Sequence, residues 1–421
     1  MTDHSPPNSA FHGWRVVAGA FVLAVFGWGL GFYGPPIYLH AVREARGFSI
    51  ELVSAAVTVH YLFGAFVVAN LPKLHRRFGL PTVTSVGAVA LAFGLVGWAM
   101  AREPWQLFAA TLLTGGGWVT MGAAAINAIV SPWFVRLRPK ALSTAYNGAS
   151  IGGVVFSPLW VLLIGQLGFP VAAMLIGGFA VVVVLGLSRA LFSLSPASLG
   201  QQPDGEAAAP VTASASGSAM QLEGASLWHD RKFQTLAAGM ALGLFAQIGL
   251  LAHLFSLIVP ALGASLAGIV MGLATASAIA GRTAFGWLMP AGSDRRVAAM
   301  ASYLIQIVGA LALIVSGTRD PVLITAGILL FGFGIGNATS LPPLIAQTEF
   351  AKEDTPRVVA LIVAIGQGTY AFAPAVFGLV RAASEAGTGI TIFALAIAVK
   401  LAAIALFQIG RPPRGGFCIG K

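Results

Sequence analysis

Long apolar runs, each ended by charges, Pro or Gly, divide this chain from residue 14 to residue 410. Each continues for roughly 20 residues or more, the length a helix needs to cross a bilayer's hydrocarbon core. Twelve helices are predicted, at 14–40, 51–71, 81–101, 105–131, 140–166, 170–193, 232–258, 265–290, 297–317, 321–347, 357–382 and 388–410. The stops between them include Arg43 to Gly47, Pro72 to Gly79, Glu103-Pro104, Arg136 to Lys140, Asp294 to Arg296 and Arg319-Asp320-Pro321. Outer-membrane strands, which alternate apolar and polar residues over short lengths, do not produce such runs.

Composition narrows the class. Only 9% of the 421 residues are charged and 57% are hydrophobic, whereas soluble domains carry about 25% charged residues. The mean hydropathy is +0.85. A water-soluble enzyme and a disordered chain are both excluded. The expected fold class is an all-α integral membrane protein with twelve transmembrane helices.

Charge orients the helices. Both termini fall on one side, and with that side cytoplasmic the inner loops and tails hold 17 of the 24 Lys and Arg, against five outside (Arg43, Arg46, Arg102, Arg319 and Arg381). Lys and Arg concentrate on the cytoplasmic side of membrane proteins, so cytoplasmic termini in the cell membrane are expected. The net charge of +10 then suits anionic headgroups rather than nucleic acid. The first fifteen residues lack a basic start, and the apolar run after them is too long for a signal peptide. Cys418 is the single cysteine, so no intramolecular disulfide is possible. The tail Cys418-Ile419-Gly420-Lys421 fits prenylation poorly. No cofactor, no metal and a monomeric protein are expected.

The expected organisation is a tail (1–13), a six-helix bundle (14–193), a flexible linker rich in Ala, Ser, Gly and Pro (194–230), a second six-helix bundle (231–410) and a second tail (411–421). At an offset of 216 residues Gly116 meets Gly332, Ile129 meets Ile345, Phe134 meets Phe350, Gly152 meets Gly368 and Pro158 meets Pro374. Six-plus-six repeats of this kind build many secondary transporters.

These residues carry a resemblance to the major facilitator superfamily. NLPKLHRRFG (Asn70 to Gly79) is similar to the superfamily's basic loop between helices 2 and 3, with Arg76 where an Asp normally stands. GRTAFGWLMPAGSDRR (Gly281 to Arg296) resembles the matching loop of the second half, with Pro290 at the acidic position. Both departures remove the loop's usual gating ion pairs. SPWFVRLRPKALSTAYNGASIGGVVFSPL (Ser131 to Leu159), Gly281-Arg282 and the Gly-rich helix 10 resemble the monocarboxylate-transporter-like group. That resemblance implies a carrier of small organic anions, often moved with a proton. It also implies that Arg282 is the carboxylate-binding cation.

The two Lys or Arg left over by the inside–outside division, Arg282 and Lys400, both lie inside predicted helices. Charge at such depth is costly and normally faces a partner or water. The planar fork of Arg282 suits two-point carboxylate binding, but a snorkelling or helix-packing Arg is the competing reading. For Lys400, peripheral, snorkelling and cavity-facing placements all fit. The group's usual Asp one turn before the Arg is Ala278 here, and its usual Lys after the helix 1 proline is replaced by Pro36-Ile37. With no acid deep in a helix, His60, His253 and His40 are the candidates for proton coupling; hydrogen-bonding structural histidines are the alternative. Asn127, Tyr146, Asn147, Gln247, Asn337, Gln367 and Tyr370 are candidate pocket residues, since amides in hydrocarbon need a partner; interhelical bonds would serve as well. Pro35-Pro36 should distort helix 1, and Pro342-Pro343 helix 10. The expected function is secondary active or facilitative transport of a small organic anion by alternating access. Efflux of a more apolar molecule, or a membrane-embedded sensor, are the alternatives.

Overall fold

The computed structural model describes residues 11–205, 224–289, 293–317, 319–351, 354–384 and 389–411. Pro290, Lys352, Cys418 and most of the C-terminal tail lie outside the described residues. The first half contributes α1 (Gly13–Arg46), α2 (Ile50–Phe78), α3 (Leu80–Met100), α4 (Pro104–Trp133), α5 (Arg138–Leu167) and α6 (Phe169–Phe192). In the second half, 58 helical residues from Arg231 to Leu288 turn at Gly263 (φ 71°) and so form two crossings, α7 (231–262) and α8 (264–288). α9 (Arg295–Val315), α10 (Pro321–Glu349), α11 (Thr355–Tyr370 and Ala373–Ala382) and α12 (Ile390–Ile409) complete a membrane-spanning chain of twelve crossings. Each half begins and ends on the same side, here called the linker face; the opposite side is the distal face.

The stop signals act differently from expectation in three places. α1 runs past Arg43 and ends at Gly47, which caps it in the left-handed region at φ 68°. α2 passes through Pro72 and continues to Phe78, so the basic motif forms the last turns of a helix rather than a loop. There Arg76 and Arg77 meet the negative end of the helix dipole. α10 stays helical through Pro342-Pro343. The break in that half lies in α11 at Ala371–Phe372, ahead of Pro374.

Small residues set the close helix contacts. A Cβ on Gly148 or Gly152 of α5 would strike the α1 backbone at Phe21 or Val25. Gly332 and Gly336 of α10 lie equally tightly on Ala274 and Ala278 of α8. Without a hydrophobic driving force between helices in lipid, such close packing holds bundles together.

The buried apolar residues form one large cluster, a smaller one, and a third of Leu71, Val83 and Ala125 alone. The large cluster runs through the whole first bundle and continues into the second through Leu251, Phe255, Met271 and Phe377. The smaller cluster, with Leu236, Met240, Leu341 and Phe407, belongs to the second bundle alone. The bundles therefore share a core toward the distal face. The backbone N–H of Ala375 donates to Thr58 Oγ1 across this seam at 3.0 Å. A residual space of about 10 Å³ between Tyr33, Tyr61, Leu251 and Met271 is at the lower limit for a single water.

On the linker face of the second bundle, Arg296 (0% exposed) pairs with Glu349 through Nε at 2.7 Å and Nη2 at 2.8 Å. Its remaining donors reach Thr235 Oγ1 and the Lys232 carbonyl. The loop thus has a buried ion pair after all, formed without the residue expected to supply it.

The expected flexible linker is folded at its start. Residues 194–205 include two short 3₁₀ turns, Ala197–Leu199 and Pro203–Gly205. Gln201 Oε1 accepts from the His12 N–H at 2.9 Å. Asp204, at φ 63°, accepts the consecutive N–H groups of Val135 (3.2 Å), Arg136 (2.8 Å) and Leu137 (3.1 Å). The motif is a backbone nest for an anion at the α4–α5 junction, filled by the chain's own carboxylate. Short turns and local carboxylate bonds give this stretch order that its composition hides.

Desolvation, the largest single cause, raises the Asp204 carboxyl, but the three N–H donors and the Arg136 charge together outweigh it and hold it below its ordinary value of 3.8. With the folded value depressed, the strap's contribution is fully present above the ordinary value. It is lost as pH falls through the depressed value. Asp204→Asn should speed hydrogen exchange at residues 135–137 at neutral pH. In the unmodified protein, protection there should be the same at pH 7 and pH 5 and fall only under more acid conditions.

Candidate functional site

The site begins where α1 breaks. Pro35 and Pro36 have no N–H, so the carbonyls of Gly31 and Phe32 lose their helical donors. Side chains of α2 replace them. His60 Nε2 lies 2.9 Å from Gly31 O, and Tyr61 Oη donates to Phe32 O at 3.5 Å. His60 Nδ1 meets Thr114 Oγ1 of α4 at 2.9 Å, and its ring stacks on Trp118 at 6.1 Å. Tyr38, one turn beyond the break, donates to Leu30 O at 3.0 Å. The repaired break leaves Tyr33 between the bundles, near Thr275 and Arg282 of α8.

Arg282 is seated by the α8–α10 seam. A side chain on the preceding Gly281 would run into the Phe333 carbonyl of α10. A Cβ on Gly336 would lie 3.2 Å from Arg282 Nε and Nη2. The guanidinium is therefore laid against bare α10 backbone. Its Nε is buried without a hydrogen-bond partner, and among the described residues it pairs with no carboxylate. Thr283 beside it is exposed and Arg282 itself half-buried. Gly153 of α5 closes the other side, where a Cβ would lie 2.7 Å from Thr275 Oγ1 and 2.8 Å from the Tyr33 ring. Tyr61 and Tyr370 meet edge to face at 5.7 Å across the bundles.

The other candidates divide by location. Gln247 and Asn337 are each 2% exposed, with Oε1 of the first and Nδ2 of the second unpartnered. Gln367 is half-buried one turn before Tyr370. Asn127 is exposed and accepts from Ser131 Oγ; Asn147 is exposed next to the tight Gly148 contact. Tyr146 is tied within the first bundle to Ala123 O at 3.0 Å. His253 Nε2 meets Pro374 O at 3.1 Å, and His40 packs edge-on to Phe255 at 5.3 Å, both on the distal side. Lys400 (0% exposed) is neither peripheral nor cavity-facing. Its Nζ donates to Gln306 Oε1 of α9 at 2.7 Å and lies 5.2 Å from the Tyr303 ring and 5.3 Å from the Phe331 ring. Buried ammonium groups over aromatic faces gain from the ring quadrupole.

Tyr33, Tyr61, Trp118 and Thr275 were not singled out from the sequence. Tyr33 carried one usable signal, its place immediately before Gly34-Pro35-Pro36. Among the described residues no group of three His, Cys, Asp or Glu could hold a metal ion. The arrangement brings a positive charge, hydroxyl donors and aromatic side chains together between the bundles.

Two six-helix bundles around a polar midpoint are the build of a secondary transporter. The family profile of the Major Facilitator Superfamily matches residues 13–374, and the chain belongs to that superfamily of transporters. "MFS-type transporter 1" of Ophiocordyceps sp. (strain BCC 1869) is 27% identical over 361 residues, covering 82% of this chain and 74% of that protein. "Monocarboxylate transporter 11" of Homo sapiens is 28% identical over 296 residues, 68% of this chain and 58% of that one. Among solved structures, the nucleoside transporter NupG superposes with a TM-score of 0.70 at 14% identity, covering 94% of this chain and 99% of that one. A bacterial homolog of the human lysosomal transporter Spinster, in an inward-facing and occupied conformation, gives 0.70 at 13% identity over 95% and 97%. The protein is a membrane transporter and not an enzyme.

Both ring nitrogens of His60 are engaged in holding the α1 break. His60→Ala should lower stability by about 2–3 kcal/mol, because it strands a buried carbonyl. His60→Gln, which can donate to Gly31 O, should recover part of the loss in thermal melting.

Proposed function

We propose that this transporter carries a small organic anion, with Arg282 binding its carboxylate. The observation that carries the reading is the Arg282 guanidinium: half-buried between the bundles, fixed against Gly336, with an unused Nε donor. A buried unsatisfied donor on a permanent cation is expensive, and a planar carboxylate offsets that cost by accepting from the guanidinium fork. Tyr33 and Thr275 supply hydroxyls beside it, while Gln247, Asn337, Gln367 and Tyr370 shape the pocket. Asn127, Tyr146 and Asn147 line the approach.

The excess of Lys and Arg on the linker face supports assigning that face to the cytoplasm of the cell membrane. On that assignment the core shared toward the distal face supports reading the distal seam as an outer gate, closed in an inward-facing state. The two bundles would rock about the central site, and a monomer suffices for that motion. Ala278, 2% exposed in the α8–α10 seam, stands where the resemblance would place a proton-carrying acid. The reading therefore favours a uniport, or an anion that brings its own proton, over a proton relay through α8.

A second reading rests on the aromatic walls. Tyr33, Tyr61, Trp118 and Tyr370 also suit a more apolar solute leaving the cell, and a relative from Gibberella fujikuroi is the "Fujikurins efflux protein".

Arg282→Ala should remove saturable uptake of small carboxylates into proteoliposomes, with transport efficiency lower by about 100-fold, while the protein still folds. The matching ligand screen is thermal stabilisation of the purified protein by a panel of small acids. Undiminished transport by Arg282→Ala would remove it from the mechanism and favour the apolar reading.

A further inference from the structure

The closed distal face brings basic groups from both bundles together. His40 and Arg43 lie about one turn apart on α1, and Arg381 occupies the last turn of α11. The edge-on contact between His40 and Phe255 holds this part of α1 against α7. Arg381 Nη1 donates to Ser256 Oγ of α7 at 2.6 Å, and Ser256 Oγ donates to His253 O at 2.8 Å. Arg43 is thus brought, from the first bundle, close enough to Arg381 of the second for their charges to act on one another. Both also act on His40 and on the buried His253.

The acids nearby act on this group without pairing with either arginine. Glu44 acts on His40, and Glu51 acts on Arg43. Among the described residues neither arginine is within ion-pair distance of a carboxylate. Arg43 Nε is buried with no hydrogen-bond partner, while Arg381 uses one donor on Ser256 and is half-buried. Two guanidiniums on opposite bundles, near enough for their charges to act on one another, repel, and low local dielectric strengthens the repulsion. An anion between them reverses the sign, since each fork can donate two parallel bonds to oxygen.

We propose that Arg43 and Arg381 form a second anion site, for a small carboxylate, assembled only when the distal face is closed. Binding there favours the closed face, because opening separates the two halves of the site. A carboxylate on the distal side thereby biases the transporter toward the state open at the linker face. The site is distinct from Arg282 and does not depend on which solute crosses the protein.

The test uses the full-length protein carrying Arg282→Gln, which removes the central cation. Thermal melting is followed against sodium acetate at fixed ionic strength and pH, with neutral acetamide as the isosteric control. Acetate should raise the melting temperature saturably and acetamide should not. Adding Arg43→Gln should raise the acetate midpoint by about tenfold or more, as loss of a charge-assisted bond implies. Without acetate, Arg43→Gln should melt at or above its parent, because it relieves repulsion; a merely structural Arg43 would lower it. Arg43→Lys, which keeps the charge but not the fork, should show an intermediate acetate response and covers poor folding of the Gln variant. An acetate response equal in all of these proteins would overturn the proposal. So would the absence of any saturable response in the Arg282→Gln parent.

Discussion

Within hydrocarbon a backbone carbonyl has no water to fall back on, and this constraint organises the centre of the molecule. Pro35 and Pro36 break α1 where its carbonyls cannot be left open. The structure answers with His60 and Tyr61 from the neighbouring helix, and α4 holds His60 through Thr114. The break, its repair and the placement of Tyr33 form one unit. α11 has a related solution: the N–H of Ala375 reaches Thr58, and the carbonyl of Pro374 accepts from His253. Irregular backbone occurs in both cases where the bundles meet.

The repeat of 216 residues preserves the crossings but not the chemistry at their ends. Arg296 and Glu349 correspond by that offset to Leu80 and Trp133. The second bundle closes its linker face with a buried ion pair, whereas the first places apolar residues there and adds the strap ending at Asp204. A buried ion pair is weak evidence for net stability but strongly penalises loss of either partner. The strap is a solution available only to the half that is followed by the linker.

Much of the fold was legible because membrane crossings are long and apolar, and all twelve were found near their observed limits. The errors cluster at proline. Pro72 and Pro342-Pro343 were read as stops or bends, yet their helices continue, because tertiary packing outweighs one lost backbone bond. The break in α4 at Thr120–Gly122 had no proline to mark it. Of the candidate site, Arg282 was visible as a charge among apolar neighbours. Its surroundings were not, because Tyr33, Thr275 and Gly153 come from three helices whose meeting depends on packing rather than on local pattern. Lys400 shows the same limit: its partners Gln306, Tyr303 and Phe331 are distant in sequence, and a lone lysine in a hydrophobic run does not reveal whether it faces inward.

The unequal sharing of the core between the two faces has a thermodynamic consequence. The distal seam buries Leu251, Phe255, Met271 and Phe377, whereas Asn127, Asn147 and Thr283 toward the linker face are exposed. In the proposed alternation, exchanging one closed face for the other would expose apolar surface while covering polar surface. Apolar exposure raises heat capacity and polar exposure lowers it, so the two proposed states would differ in heat capacity. Because apolar burial weakens on cooling, the balance between such access states would curve with temperature, and cold would favour the distal-open form.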